Sequence, residues 1–252
     1  MQLERADKYA DAAINSVETQ LRDISLDNLR FQDLGTASFL YNVWDTKGWI
    51  EFKRGNLDLA EQYIAAAWQA SGSGNICEHL AEIYEERGNR DKAVHYYVLA
   101  LADNTPSDEA RARLTALGVT KDLDQMVEQG RRELKQQRTT SLNKSDAGTA
   151  EFNLLISPSR IEQVKFLKGD DSLKGFTQLL QSAPVGMKFP PDGSAHVPRR
   201  AVVTCGTTQA GPTKSVKTAK KNATIFSTDK PQTTPGPCTL QLRPADSVRS
   251  LD

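Results

Sequence analysis

Three histidines, His79, His95 and His196, are the whole supply of side chains that exchange a proton near neutral pH in this 252-residue chain. None belongs to a motif that makes a base or a ligand of it, because HExxH, GxSxG, P-loop and GxGxxG sequences are all absent. His79 and His95 fall inside helical patterns, where a surface or groove-lining role is the simpler expectation. No cysteine lies beside a histidine partner, and Cys77, Cys205 and Cys238 are too dispersed for a zinc module or a multi-bridge scaffold. The residues therefore nominate no catalytic group, metal or cofactor, and an activity as an enzyme is not expected.

Cys205 and Cys238 close two strand-like segments, VPRRAVVTC and CTLQLRP, on either side of a Thr-, Lys-, Gly- and Pro-rich stretch. If the segments pair, the sulfurs come within disulfide reach, and closing a loop of about 30 residues contributes on the order of 3 to 4 kcal/mol in the chain-entropy model. Two reduced thiols at strand ends is the alternative.

Lys+Arg and Asp+Glu both total 32, so net charge makes no case for nucleic acid or a membrane surface. The charge is nonetheless uneven: residues 1–140 hold 17 basic and 23 acidic side chains, residues 141–252 hold 15 and 9. A boundary near 140 follows. Lys214, Lys217, Lys220 and Lys221 have one nearby aromatic, Phe226, which is too little for single-strand stacking, and no nucleic-acid partner is expected. No run of 18 apolar residues is present, so no direct membrane span is expected, and the first 30 residues are amphipathic without a signal-peptide core.

The elements that carry these residues follow from periodicity. WDTKGWIEFKRGNLDLAEQYIAAAW, shifted by 33, superposes on CEHLAEIYEERGNRDKAVHYYVLAL: Gly55 falls on Gly88, Asn56 on Asn89, Ala60 on Ala93, Tyr63 on Tyr96 and Ala67 on Ala100. Each unit reads as two amphipathic helices about an R-G-N turn, and such units bury their apolar faces only by stacking. We expect a half unit at 1–22, a bent connector over 25–37, complete units at 38–70 and 74–104, and capping helices over 107–137. A linker at 141–148 then leads into strands AEFNLLIS and IEQVKFL, a helix in DSLKGFTQLLQS and the two cysteine-bearing strands. This gives a small α+β domain over 149–243, with a flexible insertion at 206–237 and a tail at 244–252.

The units resemble tetratricopeptide repeats. Trp44, Gly48, Gly55, Ala60 and Ala67 match in the first, and Leu80, Ala81, Tyr84, Gly88, Ala93, Tyr97 and Ala100 in the second, while Lys47 and Glu51 stand where that family has Leu and Tyr. The resemblance implies an α-helical solenoid followed by a small α+β (ββαβ) domain, with the first helix of each unit lining a concave groove. The groove positions are Asn42, Asp45, Trp49 and Phe52 in one unit and Asn75, Glu78, Glu82 and Glu85 in the next, a combination that suits a basic or amphipathic peptide or protein segment. The alternative has Trp49 packed on the preceding helix and the glutamates on a solvated face. EFNLLISPSRIEQVKFLKGDDSLKGFTQLLQ resembles the C-terminal domain of TonB-type energy transducers. The combination resembles the C-terminal part of large bacterial repeat proteins with a transglutaminase-like region. It implies, as a second reading, an accessory or regulatory region of a larger, envelope-associated protein, located in the periplasm or cell envelope, and an array that continues before Met1.

Overall fold

The computed structural model describes residues 2–209 and 232–243. Helices come first: α1 (Gln2–Arg22), α2 (Phe31–Lys53), α3 (Leu57–Ser71), α4 (Gly74–Glu86), α5 (Arg90–Ala102), α6 (Asp108–Ala116) and α7 (Leu123–Gln137). A mixed part follows, with β1 (Thr139–Asp146), β2 (Gly148–Ile156), β3 (Ile161–Gly169), a 3-10 turn at Asp171–Phe176, α8 (Thr177–Gln181), β4 (Val197–Gln209) and β5 (Gln232–Leu242). The protein is thus mixed α and β with a helical N-terminal part.

The two 33-residue units fold alike down to their turns. Gly55 and Gly88 take φ of +82° and +68°, a region glycine enters without a Cβ penalty. Around them the same bonds recur: Gly55 N donates to Phe52 O and Asn56 N to Glu51 O, as Gly88 N does to Glu85 O and Asn89 N to Tyr84 O. Consecutive helices pack in chain order from α1 to α6, α2 also touches α4, and α7 lies against α5. Gly48 sits where α2 meets α3: a Cβ there would come 2.5 Å from Ile64 Cγ1 and 3.1 Å from Ala60 O.

Lys47 and Glu51, at positions that are apolar in the resembled family, are both buried. They belong to an ion cluster between α1 and α2. Lys47 Nζ lies 2.5 Å from Asp7, 2.8 Å from Asp11 and 3.4 Å from Glu51, and Arg54 bridges Asp7 and Glu51 at 2.6 and 3.2 Å. Burial disfavours the charged ammonium, yet Asp11 and Asp7 outweigh it and the Lys47 pKa is raised.

Residues 31–37, expected to be connector, are the first two turns of α2, which starts at Phe31 after Arg30 pairs with Asp33. The expected linker 141–148 is mostly β1, hydrogen-bonded to β5 at the edge of the sheet. Only Leu142 of β1 is buried, so an edge strand wet on both faces carries no alternation to betray it. The ββαβ reading becomes a five-stranded antiparallel sheet in the order β1-β5-β4-β2-β3. β4 and β5 stay paired out to Gln209 and Gln232, inside the expected insertion 206–237. Residues 210–231, with the four lysines, and the tail 244–252 lie outside the described residues.

One face of the sheet forms a second core, with Phe152, Leu154, Ala201, Val203 and Leu240 under Leu173, Phe176 and Leu180. The segment before β4 and the first residue of that strand join the two cores: Met187, Ala195 and Val197 pack into the helical core, and Phe189 touches both, edge-on to Trp44 at 6.0 Å. Polar ties reinforce the junction. Leu26 N donates to Gln163 at 2.9 Å, Ser194 N and Oγ donate to Glu18 at 3.1 and 2.7 Å, and the buried Arg199 donates to Ala70 O.

Candidate functional site

Asn42, Asp45, Trp49 and Phe52 follow one another at spacings of three and four along α2, which places them on one face. Trp49 stacks on Phe52, with ring centroids 4.7 Å apart and 23° between planes, and on His79 of α4 at 4.5 Å and 28°. Three rings thereby form a continuous stack across two helices. All three side chains are half-buried, so the stack remains partly open to solvent.

His79 closes the stack because Asp45 holds it: Nδ1 and Oδ1 are 2.8 Å apart. Burial works against a charged His79, but the hydrogen bond and charge of Asp45, helped by Glu82 and Glu78, prevail and raise its pKa above the ordinary 6.5. Burial, the largest influence on Glu82, raises its pKa against the opposing charge of His79. The ammonium of Lys53 lies 4.3 Å from the Trp49 ring centre and 4.9 Å from that of Phe52, a cation held over aromatic faces at the edge of the stack.

The structure brings together Asp45, Trp49 and Phe52 and sets Glu82 beside His79. Asn42 and Asn75 are exposed at the ends of the strip. Glu78 and Glu85 depart from the expected groove. Glu78 is buried at 8% exposure and accepts a hydrogen bond from Ser107, the N-cap of α6. The chain returning at α6 covers this position, and the helix N-terminus offers a carboxylate a favourable end. Glu85 is turned to α5 and α6, accepting from Tyr97 and pairing with Arg113 at 2.6 Å. The rings Trp49 meets are Phe52 of its own helix and His79 of α4 rather than the preceding helix of the alternative, and Glu78 and Glu85 are engaged by Ser107, Tyr97 and Arg113 rather than solvated.

Sequence reasoning placed His79 on a groove or surface without giving it a role, and passed over Lys53. The available signal was positional: His79 follows the residue equivalent to Asp45 by one place, on the helix that faces it. Among the described residues no group of three or more His, Cys, Asp or Glu side chains is arranged to hold a metal, and no helix is long and apolar enough to cross a membrane. Cys205 and Cys238 face each other across β4 and β5 and form a disulfide, with Cα atoms 4.0 Å apart, and Cys77 is a buried free thiol.

No protein-family model, curated protein or solved structure matches the chain significantly. The likeness to tetratricopeptide repeats accordingly rests on the residues and turns of this chain alone.

Proposed function

We propose that the protein is a non-enzymatic interaction module of tetratricopeptide-repeat type, binding a basic or amphipathic peptide segment along the α2 and α4 face. One observation carries the reading: the open Phe52–Trp49–His79 stack flanked by Asp45 and Glu82, on which the chain's own Lys53 already rests. A partner lysine or arginine would take the position Lys53 holds, with rigid aromatic area below it and carboxylates beside it. Asn42 and Asn75 would offer hydrogen bonds to the partner backbone. The repeated turn geometry of the two units supports the repeat assignment.

The test is fluorescence anisotropy of the whole chain against a set of labelled basic amphipathic peptides. Binding peptides should lose about tenfold in affinity on Trp49→Ala, and Asp45→Asn with Glu82→Gln should flatten the salt dependence. Peptides that bind Trp49→Ala as tightly as the parent chain would overturn the groove.

One observation favours a second reading, an accessory region of a larger envelope-associated protein. Disulfides such as Cys205–Cys238 persist in oxidising compartments. Mass spectrometry of the protein trapped with alkylating agent in its host would decide it, a reduced pair in vivo counting against the envelope.

A further inference from the structure

Lys53 stands four residues after Trp49, in the last turn of α2, so its side chain falls on the face that carries the rings. The residue is exposed and could extend into water. Its ammonium instead lies 4.3 Å from the Trp49 ring centre and 4.9 Å from that of Phe52. Among the described residues Lys53 forms no ion pair, whereas Lys47 of the same helix is held by Asp7, Asp11 and Glu51. Two aromatic rings, not a carboxylate, hold Lys53 in place.

The stack therefore already contains a cation. A group tethered one helical turn away competes at an effective concentration in roughly the millimolar range or above. A lysine from another molecule would replace an ammonium by an ammonium and gain nothing from the rings to offset that tether. A guanidinium is different in kind: it is planar and weakly hydrated, it stacks on aromatic faces, and its fork of N–H donors still has bonds to give a carboxylate alongside. Glu82 is such a carboxylate. It is half-buried, lies in the field of both His79 and Lys53, and accepts no hydrogen bond among the described residues. Asp45 offers less, because its Oδ1 is engaged by His79.

We propose, on the basis of the groove function above, that Lys53 is an internal occupant that closes this site in the free protein. The partner residue that displaces it is an arginine, stacked on Trp49 and Phe52 and paired with Glu82.

The test uses two fluorescein-labelled amphipathic peptides, identical except that every basic position is arginine in one and lysine in the other, titrated into the whole chain by fluorescence anisotropy. The arginine peptide should bind about tenfold more tightly, and Glu82→Gln should narrow that gap. Lys53→Met keeps the aliphatic stem and removes the cation. It should tighten both peptides about threefold, since a site closed part of the time loses affinity in that proportion. The gain should persist at about 0.5 M salt, where a general loss of repulsion is screened out. Lys53→Arg should weaken both peptides, because an internal guanidinium holds the rings better. Both changes fall on an exposed side chain and leave the fold intact. In the free protein, ring currents should shift the Lys53 ε-methylene protons upfield, and Trp49→Ala should abolish the shift.

If the peptides bind and weaken on Trp49→Ala, the groove stands. The proposal then falls if Lys53→Met leaves binding unchanged or weaker, if Lys53→Arg strengthens it, if the lysine peptide binds as tightly as the arginine one, or if the upfield shift is missing. If neither peptide binds, or both bind Trp49→Ala as tightly as the parent chain, the groove itself falls and the internal occupant with it.

Discussion

Trp68 Nε1 donates a 2.6 Å hydrogen bond to Asp103 Oδ2, joining residues 35 apart in sequence. The same carboxylate, with no exposed side-chain surface, receives Arg138 at 2.8 and 3.0 Å. Since Arg138 immediately precedes β1, and its carbonyl accepts from Leu242 N at 2.9 Å, one aspartate connects α3, the end of α5 and the sheet. Asp103→Asn keeps an acceptor for Trp68 but leaves Arg138 without its counter-charge in a largely buried setting. Removing one member of a buried pair costs about 3 kcal/mol or more. Urea unfolding should show a lower midpoint at an unchanged slope, the product of the two falling by that amount.

Two glycines of α2 should respond to alanine with opposite signs. At Gly48 the new Cβ would press on Ile64, Ala60 and Tyr63, whereas at Gly35 nothing lies within 4 Å. Alanine gains up to about 1 kcal/mol of helix propensity at either position. Overpacking at Gly48 costs about 1 to 3 kcal/mol and outweighs the gain. Gly35→Ala should therefore raise the melting temperature and Gly48→Ala lower it, as read by thermal unfolding followed by circular dichroism.

Thiol titration of denatured, unreduced protein should find one reactive sulfur, that of Cys77, because Cys205 and Cys238 are bonded. The bridge spans 33 residues, and opening it should cost on the order of 4 kcal/mol in the chain-entropy model. Replacing both cysteines by serine should reduce stability by a comparable amount. Three reactive thiols, or a neutral double variant, would count against the bridge.

The pH dependence of the aromatic stack has a definite sign. His79 has a pKa raised above 6.5 in the folded protein, so its bond to Asp45 contributes fully below about pH 6.5 and fades as pH rises through the folded value. NMR titration of the His79 ring should show a midpoint above that of a model peptide. Asp45→Asn should pull the midpoint down, since burial is then opposed by less negative charge. Trp49 fluorescence should follow the same titration, because the two rings stack at 4.5 Å.

Legibility from sequence followed the number of constraints a residue satisfies at once. The R-G-N turns could be read because Gly55 and Gly88 need positive φ, end one helix and recur at a fixed interval. Trp49 and Phe52 could be placed on one face by spacing alone. The face of Glu78 was also readable, but what covers it was not, since Ser107 arrives from 29 residues downstream. β1 escaped because an edge strand buries one residue and carries no pattern. Lys47 and Glu51 looked like departures from an apolar rule, and their reason lay in Asp7 and Asp11, on a helix whose pairing no local pattern announces.

Arg199, on β4, supplies the hydrogen-bond donors for carbonyls at the end of α3, reaching Ala70 O and Gln69 O across about 130 residues. On a growing chain α3 leaves the ribosome long before the strand that completes its last turn. Helices that look self-sufficient by their repeat thus wait for the sheet, and a fragment holding only the helices would present an end that the whole protein never exposes.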